Sequence, residues 1–152
     1  MPPSFSSIFA PGLFTGSVFI VTGGGSGIGR CTAHELVSLG ACVAIVGRNP
    51  SKLDCVCREL RDAADGGDVC SAHVCDIREE ETVRRTVSEI LLRWRRIDGL
   101  VNNAGGQFPS PLALISAKGW DAVVRNNLTG GFLMAREVYS QFVTRLSRSQ
   151  NL

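Results

Sequence analysis

The segment Thr22-Gly23-Gly24-Gly25-Ser26-Gly27-Ile28-Gly29 constrains the fold of this chain more than any other part of its sequence. It follows a short β-branched run, Ser17–Thr22, and leads into Ile28–Leu39, where apolar residues recur at helical spacing. A glycine-rich turn between a strand and a helix presents free N–H groups and the positive end of the helix dipole to phosphates. The segment therefore predicts a loop that holds the pyrophosphate of a dinucleotide.

Three glycines of this loop have separate expected roles. Gly23 permits the tight turn, Gly27 lets the backbone approach the pyrophosphate, and Gly29 allows the helix to pack closely on the strand. The spacing is not that of a P-loop, because Arg30 stands where that motif requires lysine. The predicted binding loop comprises Gly23, Ser26, Gly27, Ile28 and Gly29.

Strands and helices alternate along the rest of the chain. Further strands are predicted at Ala41–Val46, Val69–Cys75 and Ile97–Asn102, with helices between them and after the last. This order predicts an α/β fold of the Rossmann type, a doubly wound parallel sheet that stops after about four strands. We divide the chain into an irregular N-terminal arm (1–16), a nucleotide-binding half-domain (17–143) and a tail (144–152).

Composition narrows the class of protein. A chain of 152 residues with 44% hydrophobic and 20% charged residues suits one soluble domain. The net charge of +2 is too small to indicate nucleic acid or a membrane surface as a partner. No Lys or Arg precedes Arg30, and no apolar run has the ~18 residues of a membrane helix. We therefore expect a cytoplasmic protein, or a peroxisomal one if it is eukaryotic.

Six cysteines stand at 31, 42, 55, 57, 70 and 75, and none forms a Cys-x-x-Cys pair. With two histidines in the chain, a metal site is not expected. The sequence predicts reduced, mostly buried thiols.

Two residues at predicted strand ends bear on the choice of cofactor. Arg48 follows the second strand, where an NAD enzyme usually places an acid, so it favours NADP(H), whose 2′-phosphate a guanidinium can bind. A plain surface arginine is the alternative. Asp76 follows the third strand and either accepts a hydrogen bond from the adenine amino group or caps the helix that begins near Arg78.

Two further motifs complete a pattern: Asn102-Asn103-Ala104-Gly105 and Asn127-Leu128-Thr129-Gly130. With the glycine loop and Asp76, they resemble the short-chain dehydrogenase/reductase family. Within it, Gly105–Pro111, Ser116–Trp120 and Val138–Ser140 are similar to peroxisomal trans-2-enoyl-CoA reductases and their bacterial relatives.

The resemblance implies roles for these residues. Asn103, Ala104 and Gly105 would run beneath the adenosine and ribose of the cofactor. Asn127 corresponds to a helical asparagine that holds a water in a proton relay, which makes it the one catalytic candidate. The loop 106–114 would border the pocket for an acyl-CoA or carbonyl substrate, and the complete protein would be a homo-oligomer.

The resemblance also implies that a serine and a Tyr-x-x-x-Lys pair lie beyond Leu152. The chain has one tyrosine, Tyr139, and Val143 stands four residues after it. Tyr139 is therefore expected to pack in a helix. Three hypotheses stay open: a piece of an active reductase, an inactive NADP-binding module, or a truncated product without function.

Overall fold

Four parallel strands form the centre of the molecule. The computed structural model describes residues 7–149, with side chains to residue 141; residues 1–6 of the predicted arm and 150–152 of the predicted tail lie outside this range. The strands are β1 (Val18–Thr22), β2 (Cys42–Gly47), β3 (Cys70–Val74) and β4 (Gly99–Val101). Their spatial order is β3-β2-β1-β4, and every neighbouring pair is parallel. The predicted α/β fold is confirmed.

The helices cover both faces of the sheet. They are α1 (Gly27–Ser38), α2 (Pro50–Ala63), α3 (Glu80–Trp94), α4 (Ala117–Val123) and α5 (Gly130–Ser149). One apolar cluster joins α1 and α2 to the face that carries Val21, Val43 and Ile45. A second joins α3 and α5 to the face that carries Ile20, Ala44 and Val46. The central strands are therefore buried on both sides, as their uninterrupted apolar runs predict.

Local chemistry sets the helix ends. Asn49 caps α2 by accepting a hydrogen bond from Lys52 N at 3.0 Å, and Pro50 fills the first helical position. Helix α3 begins with Glu80 and Glu81, and its last turn carries Arg93, which suits the helix dipole at both ends.

The helical region predicted after the last strand is interrupted. A π-helical segment, Val124–Thr129, joins α4 to α5. Widened turns of this kind are frequent at functional sites. Here the segment contains Asn127.

The cysteine prediction is wrong in two respects. Cys57 of α2 and Cys70 of β3 form a disulfide, with Cα atoms 5.5 Å apart, because α2 packs across β3 and places the two side chains opposite each other. Of the other four, Cys75 alone is buried, while Cys31 and Cys55 are exposed.

Candidate functional site

A cleft of about 330 Å³ opens at the carboxyl ends of the strands. Strand β1 lies between β2 and β4, so the chain reverses its direction of winding at this point. Ligands of open α/β sheets bind in the crevice outside such a reversal. The walls come from the glycine loop, from the residues after β2 and β3, and from the residues after β4.

At Gly23 and Gly29 the glycine loop lies so close to neighbouring groups that a side chain would not fit. Gly23 has φ +70°, and a Cβ there would lie 2.8 Å from Asn103 Nδ2. A Cβ on Gly29 would lie 2.5 Å from the carbonyl oxygen of Gly23, so α1 meets the turn without room for a side chain. Gly27 has φ +53° and open space within 4 Å of its Cβ position. This cradle fits a pyrophosphate; of the predicted loop residues, Gly23 and Ser26 line the cleft directly.

Thr22 joins this loop to the end of β4. Its buried hydroxyl donates to Val101 O at 3.2 Å and accepts from Asn103 N and Ala104 N at 3.0 and 2.9 Å. The amide of Asn103 also donates to Thr22 O at 2.9 Å. Asn103, Ala104 and Gly105 do line the cleft, but the Asn103 side chain is engaged in holding two strand ends together.

Asp76 lines the cleft with its carboxylate already paired. Arg78 donates to it from Nε at 2.9 Å, from Nη2 at 2.5 Å and from the backbone N–H at 3.1 Å. The Arg78 guanidinium is the main reason that the pKa of Asp76 falls to about 2. The capping alternative is wrong, because Glu79 occupies the N-cap of α3 and Asp76 closes the turn before it.

Two cations stand on the wall after β2. Arg48 and Lys52 both line the cleft, and both are exposed. Neither side chain forms a hydrogen bond or ion pair within residues 7–141 (Arg48 does help to lower the pKa of Asp76). Sequence reasoning missed Lys52, because a lysine in an amphipathic helix is read as part of the solvated face.

The two asparagines of the π-helical segment differ in their contacts. Asn127 Oδ1 accepts from Gly106 N at 2.8 Å, and Asn127 Nδ2 donates to Gly106 O at 2.8 Å. This pairing ties the loop after β4 to the helix. Asn126, which the motif did not select, lines the cleft, and no hydrogen bond of its side chain is found among the described side chains. The structure therefore shows Asn127 as a loop anchor; its role in a proton relay stays a prediction.

The loop beyond Gly106 is apolar and open. Phe108 lies on Gly119 of α4, where a Cβ would come within 2.7 Å of its ring. Leu112 and Leu114 form a 3₁₀ turn and are 87% and 72% exposed. Large exposed apolar side chains in one segment are typical of a binding surface.

Three further observations concern Tyr139, membrane-spanning helices and metal ligands. Tyr139 is 69% exposed, so the prediction that it packs in a helix is wrong. No helix within residues 7–149 has the length and apolar character needed to cross a membrane. In the same described range, no group of three or more His, Cys, Asp and Glu side chains is placed to hold a metal ion.

Comparison with known proteins assigns the family. The family model for short chain dehydrogenases matches residues 17–150. A peroxisomal 2,4-dienoyl-CoA reductase from Danio rerio is 31% identical over 91% of this chain and 45% of its own length. The chain thus spans about half the length of the curated relatives it matches.

Solved structures of the same family superpose closely. A citronellol catabolism dehydrogenase from Pseudomonas aeruginosa PAO1 is 58% identical, with a TM-score of 0.82 over 90% of this chain and 55% of that one. A metagenomic short-chain oxidoreductase in complex with NADP is 35% identical (TM-score 0.76, covering 87% and 59%). An NAD⁺-bound xylitol dehydrogenase is 32% identical (TM-score 0.80, covering 87% and 50%). The chain belongs to the short-chain dehydrogenase family.

Proposed function

We propose that this chain binds NADP(H) and forms the cofactor-binding half of an oxidoreductase that reduces a trans-2-enoyl thioester or a carbonyl compound. The observation that carries the proposal is the cleft at the β1–β4 reversal, with a glycine cradle on one wall and Arg48 on another. A dinucleotide fits this arrangement from its pyrophosphate to its adenosine.

Each part of the cleft has a place in this proposal. The turn at Gly23–Gly29 holds the pyrophosphate through backbone N–H groups and the α1 dipole. Asn103, Ala104 and Gly105 form the floor under the adenosine. Asp76 accepts from the adenine amino group, which its ionised state allows at neutral pH. Arg48 binds the 2′-phosphate, and the NADP complex of a relative supports that choice.

Cofactor binding and catalysis of the reduction need different residues of the protein. When bound, the nicotinamide would supply a hydride to the β-carbon of the enoyl group or to a carbonyl carbon. A proton donor must then serve the other atom. The sequence contains Tyr139 and two lysines, Lys52 and Lys118, and no Tyr-x-x-x-Lys spacing. We therefore propose cofactor binding for the chain as given and assign no proton donor within it.

A titration of the chain with NADPH, followed by nicotinamide fluorescence, tests the binding proposal. We expect saturable binding of NADPH that is tighter than binding of NADH, because a 2′-phosphate adds a charge-assisted contact to Arg48. Arg48→Gln should weaken NADPH and leave NADH unchanged. A flat titration with both nucleotides, on protein that melts cooperatively, would contradict the proposal.

A second substrate class is an apolar terpenoid alcohol or its oxidised form. The 58% identity with the citronellol catabolism dehydrogenase favours it, and so do the exposed Leu112 and Leu114. Methyl resonances of these leucines can be followed in the NADPH-saturated chain. Shifts on adding citronellol, with none on adding trans-2-octenoyl-CoA, would favour the terpenoid over the thioester.

A further inference from the structure

The disulfide between Cys57 and Cys70 joins two elements whose ends form parts of the cleft wall. Cys57 lies on α2, and Cys70 is the first residue of β3. The first turn of α2 contributes Leu53 to the cleft, and residues 75–77, directly after β3, form another part of the wall. A covalent bond between α2 and β3 therefore acts on the cleft, although neither cysteine lines it.

The disulfide fixes the position of α2 more than that of β3. Each residue of β3 already has a partner in the parallel register with β2. Helix α2 is held to the sheet by the apolar packing of Leu53, Val56 and Leu60. One hydrogen bond, from Arg61 Nη2 to Cys70 O at 2.8 Å, joins α2 directly to β3. Because apolar packing is non-directional, the covalent bond is the contact that sets where α2 lies on β3.

Leu53 connects the position of α2 to the width of the cleft. It lies one helical turn before Cys57 on the same buried stripe, about 6 Å along the helix axis. A Cβ added at Gly25 or at Gly47 would lie 3.4 Å from Leu53 Cδ2. The Leu53 side chain thus lies against both the glycine loop and the end of β2, so a movement of α2 changes the cleft at this point.

We propose that the Cys57–Cys70 pair is a redox switch of nucleotide binding, in which two-electron reduction of the disulfide weakens the binding of the nucleotide. This rests on the proposed dinucleotide function. The reductant is a dithiol, whose thiolate attacks one sulfur of the pair, breaks the S–S bond and forms a mixed disulfide. Its second thiolate then breaks the mixed disulfide. The chain gains two electrons and two protons as two cysteine thiols, and the dithiol leaves as a cyclic disulfide.

The burial of the disulfide couples its reduction to the occupancy of the cleft. Cys57 is 3% exposed and Cys70 is 0% exposed. A thiolate therefore reaches either sulfur only when α2 moves away from β3 in a local opening. A nucleotide that contacts both parts of the wall opposes this movement and should slow the reduction. At equilibrium, the factor by which reduction weakens the nucleotide equals the factor by which the nucleotide disfavours reduction.

Fluorescence titration of the full chain with NADPH, before and after treatment with dithiothreitol, tests the switch. A thiol count under denaturing conditions confirms the redox state of each sample. We expect the dissociation constant to rise at least about fivefold on reduction, the lower end of coupling between sites, and to return on reoxidation. Reduction of the disulfide should also be slower in saturating NADPH than in its absence.

A matched pair of variants assigns the effect to this disulfide. Cys55 is an exposed free thiol on the same helix, two residues before Cys57. Cys55→Ser should therefore respond to dithiothreitol as wild type does. Cys57→Ser should bind NADPH as the reduced wild type does and should not respond. A thermal melt of each sample shows whether it is folded at the temperature of the titration.

The outcomes separate this inference from the proposed function. Equal affinities of oxidised and reduced wild type would overturn the switch and leave the dinucleotide site standing. A response that persists in Cys57→Ser would also overturn it, because another thiol would then cause the effect. If the reduced chain loses NADPH because it unfolds, the disulfide serves stability alone and the switch is wrong. If oxidised wild type binds no NADPH, both proposals fall.

Discussion

Replacing Thr22 with valine should loosen the end of β4 and destabilise the whole chain. Thr22 is fully buried, and its hydroxyl is the acceptor for Asn103 N and Ala104 N and the donor to Val101 O. Valine keeps the shape of the side chain and removes only these three contacts. The substitution therefore isolates the hydrogen-bonding role of one oxygen atom.

The structure sets the size of the effect. Asn103 N retains an acceptor, because it also bonds to Val101 O at 3.0 Å. Ala104 N loses the acceptor it has in Thr22, and an unpaired donor costs about 1–3 kcal/mol when it is shielded from water; Ala104 is half-buried at the cleft wall. We expect valine to lower the free energy of unfolding by about 2 kcal/mol, which corresponds to roughly 4–8 °C in thermal midpoint for a chain of this length. Thr22→Ser keeps the hydroxyl and should lose about 1 kcal/mol through its missing methyl group.

Urea unfolding measures the loss, and amide hydrogen exchange locates it. The Ala104 amide should exchange much faster in Thr22→Val and stay protected in Thr22→Ser. Affinity for NADPH should fall in the valine variant, because Asn103, Ala104 and Gly105 form part of the cleft wall. A valine variant as stable as wild type, with an unchanged Ala104 amide, would refute the reasoning.

Three further predictions follow from single contacts. Asn127→Ala removes both hydrogen bonds to Gly106, so limited proteolysis should cut the loop after β4 faster than in wild type; equal rates would show that the pairing does not hold the loop. Burial lowers the pKa of His73 from 6.5, so the unfolded chain binds the proton more readily and stability is lost as pH falls below 6.5. As the pH is lowered from about 7.5 to about 5.5, the thermal midpoint should therefore fall in wild type and fall less in His73→Gln. An equal fall in the two proteins would contradict this. The disulfide between Cys57 and Cys70 closes a short loop, so Cys57→Ser should lower the free energy of unfolding by about 3 kcal/mol more in the oxidised protein than in the reduced one. Cys57 is buried, so the reduced protein also loses some stability, and an equal loss in both states would assign the whole effect to packing.

Strand and helix positions follow from the sequence because local signals agree with the final packing. The predicted strand Ala41–Val46 is observed as Cys42–Gly47, and the helix after it starts at Pro50. Asn49 and Pro50 specify that start without help from the rest of the chain. The predicted strand Ile97–Asn102 is shorter in the structure, Gly99–Val101. Asp98, just before this strand, is still bound to β1: its N–H donates to Val18 O at 2.8 Å, and its carboxylate accepts from Val18 N at 2.7 Å.

The contacts between particular side chains could not be predicted from local sequence patterns. The pairing of Cys57 with Cys70 depends on the angle at which α2 crosses β3, which no local pattern reports. The Asp76–Arg78 pair spans two residues, but either side chain alone has reasonable roles elsewhere. Asn127 fits its family motif, yet the contact that the structure shows is with Gly106. A motif identifies a position; packing decides which partner the side chain meets.

The polar groups around the cleft divide into those that hold the fold and those left to meet a ligand. Thr22, Asn103 and Asp76 are satisfied by neighbouring protein groups, so they shape the walls and contribute little free charge. Arg48 and Lys52 have no such partners among the described side chains. The electrostatic character of the cleft is therefore set by two cations, although an acid also lines it. In the proposed function, these two cations are the physical reason to expect that the cleft binds NADP(H), which carries a 2′-phosphate, more tightly than NAD(H).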